Sequence, residues 1–143
     1  MTAPTDFLIA ALATGSNPDN WSVVSTLLSS ASADISSARA LEWEYQPYSR
    51  AVVKGNGLKQ GLGYPRARWL FKGLRFEQRE NLKDFCAALS AEVYIRTPTN
   101  ETTAGARTWD DFSAILNWTE STELVGVNHV ENIELVFTHL VAV

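Results

Sequence analysis

Residue-by-residue alternation between apolar and polar side chains recurs along most of this chain, and it constrains the fold more than any other feature. Leu41, Trp43 and Tyr45 alternate with Glu42, Glu44 and Gln46, and over 65–74 Ala67, Trp69 and Phe71 alternate with Arg66, Arg68 and Lys72. Residues 91–97 set Val93 and Ile95 against Glu92, Tyr94 and Arg96, and 109–118 place Phe112, Ala114, Leu116 and Trp118 on one side. After a turn around Gly126, residues 131–143 put Ile133, Leu135, Phe137, His139, Val141 and Val143 in phase. Successive strand side chains point to opposite faces, so this pattern marks strands with one wet face. With a shorter candidate at 50–54 after Pro47, the chain predicts about six strands, an α+β protein dominated by antiparallel sheet.

One segment switches to a helical period. Leu82, Phe85, Cys86 and Leu89 fall at i, i+3, i+4 and i+7, while Gln78, Arg79, Lys83 and Asp84 take the opposite, wet side. Cys86 sits on the apolar stripe, which makes it a core thiol rather than a nucleophile. As the sole cysteine it also excludes an intrachain disulfide and a thiolate zinc cluster. His139 shares a strand face with apolar residues and reads as a hydrogen-bonded structural histidine. With His129 the only other histidine, no cofactor or metal site is implied.

The first forty residues carry weaker signals. Thr5 is placed to cap a short helix running to Ala13, with Gly15 just past its end. Residues 15–20 are turn chemistry, 21–28 are apolar and β-branched, and 29–40 offer mostly serine and alanine. Residues 1–40 therefore read as a peripheral arm and 41–143 as the folded domain. The longest apolar run, 7–13, is about a third of the roughly 20 residues a membrane-spanning helix needs. No cationic residue precedes it, so the expectation is a soluble, unprocessed chain without a membrane anchor.

Charge is unevenly distributed. The formal net charge is −4, which argues against nucleic-acid backbone binding, and no sequence-specific nucleic-acid contact is expected. Residues 1–44 hold five acids against one base, 45–83 nine bases against two acids, and 84–143 nine acids against two bases. Such segregated charge either pairs within one fold or meets a complementary surface on a neighbouring subunit.

Chemistry-bearing constellations are few. The segment KGNGLKQGLG holds four glycines, Gly55, Gly57, Gly61 and Gly63, and predicts a long mobile loop. Its spacing is one residue too long for a dinucleotide-binding turn, and no helix follows to receive a phosphate. Asp110 and Asp111 are adjacent, and neighbours on a strand face opposite ways, so they do not flank one bond. No Gly-x-Ser-x-Gly elbow places a base beside a nucleophile. Trp43, Trp69 and Trp118 are in phase with other apolar residues, favouring core or subunit contact over a sugar-binding surface. The residues thus point away from an enzyme. A carbohydrate-binding module is the alternative from another class, and a small hydrolase using Asp110 or Asp111 a third.

The segment YPRARWLFKGLRFEQRENLKDFCAALSAEVYIRT, followed by FSAILNW and the C-terminal VENIELVFTHLV, resembles small structural tail proteins of long-tailed bacteriophages. The resemblance is to the tail-tube and distal-tail-adaptor class and covers about residues 41–143. It implies a β-sandwich or barrel flanked by a helix, with copies assembled into rings, commonly hexamers, in the virion tail. The tail protein would be made in the host cytoplasm, and its partners would be copies of itself and other tail proteins. On that reading Lys54, Gly55, Gly57, Lys59, Gly61, Gly63, Arg66 and Arg68 form the expected subunit interface.

Overall fold

The computed structural model describes residues 6–29, 41–119 and 130–143. The expected 29–40 linker falls, from residue 30 onward, outside the described residues, as do the turn around Gly126 and His129. The protein is mainly antiparallel β. Nine strands among the described residues form two sheets, with two short α-helices and two 3-10 turns. The strands are β1 (Leu8–Ala11), β2 (Ser22–Val23), β3 (Leu41–Gln46), β4 (Arg50–Val53), β5 (Lys59–Leu62), β6 (Arg66–Arg75), β7 (Ser90–Glu101), β8 (Arg107–Thr119) and β9 (Val130–Ala142). The helices are α1 (Val24–Ser29) and α2 (Phe76–Lys83). Seven strands make one sheet in the order β2-β1-β7-β8-β9-β6-β3, while among the described residues β4 and β5 pair only with each other.

Register lines up the apolar alternation across the large sheet. Trp43 lies opposite Trp69, Trp69 opposite Leu135, and Leu135 opposite Trp118. A second row runs from Tyr45 through Ala67 and Phe137 to Leu116. With Val93, Ile95, Phe112 and Ala114 on the same inner face, these residues form one core. The sheet curls around it. Tyr45 on β3 stacks on Phe112 of β8 with ring centres 6.0 Å apart, and the Trp69 indole N–H donates to Thr97 Oγ1 at 3.0 Å. That hydrogen bond joins β6 to β7 although β8 and β9 lie between them in the sheet.

Within the expected 1–40 arm, the described residues 7–11 and 21–24 pack into this fold. Residues 8–11 form a strand against β7, with Ile9 opposite Ile95, and not the helix expected after Thr5. The helical remnant is a single 3-10 turn, Leu12–Thr14, ended by Gly15 at φ 94°. The reason is burial on both faces. Phe7 and Ile9 enter the main core, while Leu8 and Ala10 pack outside it against Trp21, Val23 and Tyr94. A strand covered on both sides shows a continuous apolar run, which periodicity does not distinguish from a helix.

The expected helix is also displaced. α2 ends at Lys83, and the chain continues in tighter turns, with Phe85 N–H bonded to Leu82 O and Cys86 N–H to Lys83 O. Leu82 and Cys86 are fully buried, but Leu89 is 81% exposed, so the four-residue stripe stops at Cys86. Arg79, expected on the wet side, is buried, with its guanidinium 6.0 Å from the Trp118 ring centre and 2.7 Å from Glu80. Burial raises the Cys86 thiol pKa, against the opposing pull of Lys83 and a backbone hydrogen bond at Trp118.

Strand β9 carries the last departure. Ile115 pairs with Thr138, but Ser113 pairs with Val141, so β9 holds one extra residue there. His139 absorbs it at φ 54°, a bulge that reverses the alternation beyond it. Leu140 turns inward and is buried, whereas His139, Val141 and Val143 are exposed. Among the described residues no helix is long and apolar enough to cross a membrane.

Candidate functional site

The glycine-rich segment is a hairpin, and this replaces the expected mobile loop. Val53 pairs with Lys59, Val52 with Gln60, Ala51 with Gly61 and Arg50 with Leu62. The strands are joined by a turn in which Lys54 N–H bonds Leu58 O at 2.7 Å and Gly57 N–H bonds Lys54 O at 2.9 Å. Asn56 Oδ1 accepts from Leu58 N–H, and Gly57 takes φ 85°, a conformation glycine enters without steric penalty. Four glycines thus do not prevent pairing, because two serve the turn and base while Gly61 makes room for a ring.

Gly61 lies under Tyr48, whose ring carbon would sit 2.5 Å from any added Cβ. Gly63 adopts φ 87° at the hairpin base beside Ser49, which donates to Tyr64 O through its hydroxyl and to Leu62 O through its N–H. The base is therefore tied down while the strands project. Every residue from Arg50 to Gly61 is exposed. Tyr48, Val52, Val53 and Leu58 are large apolar side chains open to solvent, Val53 at 67% and Leu58 at 64%. A lone two-stranded ribbon has little apolar area to bury on itself and is marginal in water. The sequence signal for these side chains was the pair Val52–Val53, apolar on both faces of a short strand.

The eight expected interface residues divide into two groups. Lys54, Gly55, Gly57, Lys59, Gly61 and Gly63 belong to the hairpin and its base. Arg66 and Arg68 instead project from the outer face of β6, where Arg66 donates to Gln46 at 2.7 Å and Arg68 bonds Glu44 at 3.3 Å. Arg68 also lies 3.8 Å from Glu134 on β9. Part of the charge segregation is thus resolved inside the chain. Arg96 on β7 makes a two-pronged bond to Asp111 on β8 at 2.6 and 2.9 Å, and Arg107 reaches Glu101 at 3.0 Å. The Asp111 hydrogen bond raises the Arg96 pKa further, partly opposed by burial. Arg50, Lys54 and Lys59 are different: exposed, they meet no acid among the described residues.

Other candidate chemistry is occupied by structure. Asp111 is held by Arg96, and Asp110 accepts from Thr99 Oγ1 at 2.6 Å, so the adjacent carboxylates serve separate partners. Trp21, Trp69 and Trp118 are buried, and Trp43 and Trp109 are half-buried against the core. His139 is exposed, its ring 5.4 Å from that of Tyr64 and its Nδ1 3.2 Å from Thr138 Oγ1, not enclosed as expected.

Fold and surface together define a mainly antiparallel β protein that carries a projecting, basic, apolar hairpin. No family model matches this sequence, and comparison with curated proteins and with solved structures gives no match either.

Proposed function

We propose that this protein is a non-enzymatic structural subunit that assembles with copies of itself into a ring, as part of the tail of a long-tailed bacteriophage. The hairpin is the observation that carries the reading. It places Val52, Val53 and Leu58 in water beside three cations that meet no acid among the described residues, a surface that gains by meeting another chain. In this frame the curled sheet with α2 at its margin is the sandwich or barrel body of the subunit, and the hairpin is its connector. The place in the tail is a tube, terminator, distal-tail or hub position, and six copies per ring is the expected number. The virion is then where the protein resides.

A sugar-binding module would instead present aromatic platforms. The five tryptophans are packed against or within the core, which leaves Tyr48 and Tyr64 as its exposed rings among the described residues. Negative-stain microscopy with sizing chromatography separates the readings. Rings or tubes are expected, and a monomer at every concentration would refute the proposal.

A further inference from the structure

The outer face of the large sheet carries a second exposed apolar feature. A groove of about 350 Å³ lies over β7 and β8, walled by Leu12 and Tyr94 on one side and by Tyr64 and Val141 on the other. Ile115 forms part of its floor, and Glu92 sits in its lining. The bulge at His139 makes the far wall, since without it Val141 would point into the core. Leu12 and Val141 are about half exposed, and Glu92 is an exposed carboxylate with no ion pair among the described residues. The chain therefore displays two apolar surfaces, a hairpin that carries cations and a groove that carries the Glu92 carboxylate and is also lined by His139.

We infer that the hairpin tip of one copy seats in the groove of a second copy, with Val53 and Leu58 against Leu12 and Val141 and with Lys54 and Lys59 toward Glu92. This rests on the self-assembly reading and names the surface that the hairpin meets. The groove has room for a few aliphatic side chains, which suits a hairpin tip. The chain's own hairpin is rooted at the rim, because Tyr64 follows its base and Pro65 O accepts from Leu140 N–H at 3.3 Å. None of that hairpin's strand residues lines the groove. Donor and acceptor patches differ, so the contact is heterologous: each copy offers one hairpin and one groove, and the contact repeats head to tail until a ring closes.

Trans-complementation tests it. Val53→Asp spoils the hairpin and Val141→Asp spoils the groove, both at exposed positions, with circular dichroism checking that each variant folds. Sedimentation velocity on the full chain should show each variant alone weakened in association on the order of tenfold or more, as a buried unpaired carboxylate requires. An equimolar mixture should form one-to-one heterodimers and stop there, through the single intact hairpin and single intact groove. If Val141→Asp does not fold, the charge pair replaces it: Glu92→Lys against Lys54→Glu/Lys59→Glu, which should associate only when mixed. Folded variants that stay monomeric when mixed, or that assemble alone as the native chain does, overturn the groove as acceptor and leave self-assembly standing. A native chain that never associates overturns both.

Discussion

Replacing Thr97 by valine probes whether the large sheet curls on itself. The Trp69–Thr97 hydrogen bond is 3.0 Å long and joins strands that are not neighbours in the sheet. Valine keeps the side-chain shape and removes the acceptor. The indole N–H of Trp69, fully buried among Phe7, Phe71 and Phe137, is then left without a partner. Leaving such a donor unsatisfied costs about 1–3 kcal/mol. In a domain of this size that lowers the midpoint of thermal unfolding by roughly 4 °C per kcal/mol. Trp69→Phe removes the donor and leaves a cavity of roughly 40 Å³, which at ~24 cal/mol per Å³ adds about 1 kcal/mol to the lost hydrogen bond. The double variant loses donor and acceptor together, so its cost should fall below the sum of the single costs by about 1–2 kcal/mol. Urea denaturation followed by far-ultraviolet circular dichroism measures all four corners of the cycle. A Thr97→Val effect below about 0.3 kcal/mol with additive costs would mean that β6 and β7 do not face each other.

Three further outcomes are expected. Leu82→Ala should cost about 2–5 kcal/mol through the cavity it leaves, whereas Leu89→Ala should stay within about 0.5 kcal/mol; similar costs in thermal denaturation would contradict a helix ending at Lys83. Asp111→Asn leaves the buried Arg96 facing a neutral partner and should cost about 3 kcal/mol, and a loss under about 1 kcal/mol would show the pair to be screened by solvent. Burial raises the pKa of Cys86, and burial with the Asp110 charge raises that of Tyr45, so both groups keep their protons longer in the folded chain than in the unfolded one. The stability they contribute is complete below the unfolded thiol pKa of about 9 and is lost as pH rises through and beyond it. Denaturation midpoints from neutral to alkaline pH should therefore fall, less steeply in Cys86→Ala, and a flat profile would refute the assignment.

The sequence was most informative where one strand face is wet. Residues 41–46, 65–74 and 109–118 alternate because polar or charged side chains hold most of the outward positions, and the structure pairs them in that phase. It was least informative where water does not touch the chain. β1 is covered on both faces, so its apolar run gave no period, and its membership of the sheet depends on Trp21 and Tyr94, remote in sequence. The His139 bulge was illegible because nothing in the residue order 137–143 announces an extra residue, and only pairing with β8 reveals it. In the candidate site the four glycines signal a high entropic cost of ordering the backbone. What their spacing did not convey was the Tyr48 ring over Gly61, which turns a missing side chain into a packing surface.

The hairpin is proposed to join copies of this chain. Sedimentation velocity on the native protein and on a variant in which a two-residue turn replaces Arg50–Leu62 tests it most directly, from low salt to about 1 M, where charge screening extends beyond about 3 Å. The native chain is expected to form a discrete oligomer that loosens as salt rises, since Arg50, Lys54 and Lys59 carry part of the contact. The shortened chain is expected to fold and remain monomeric. A native chain that is monomeric throughout, or a shortened chain that assembles as the native one does, would contradict the claim.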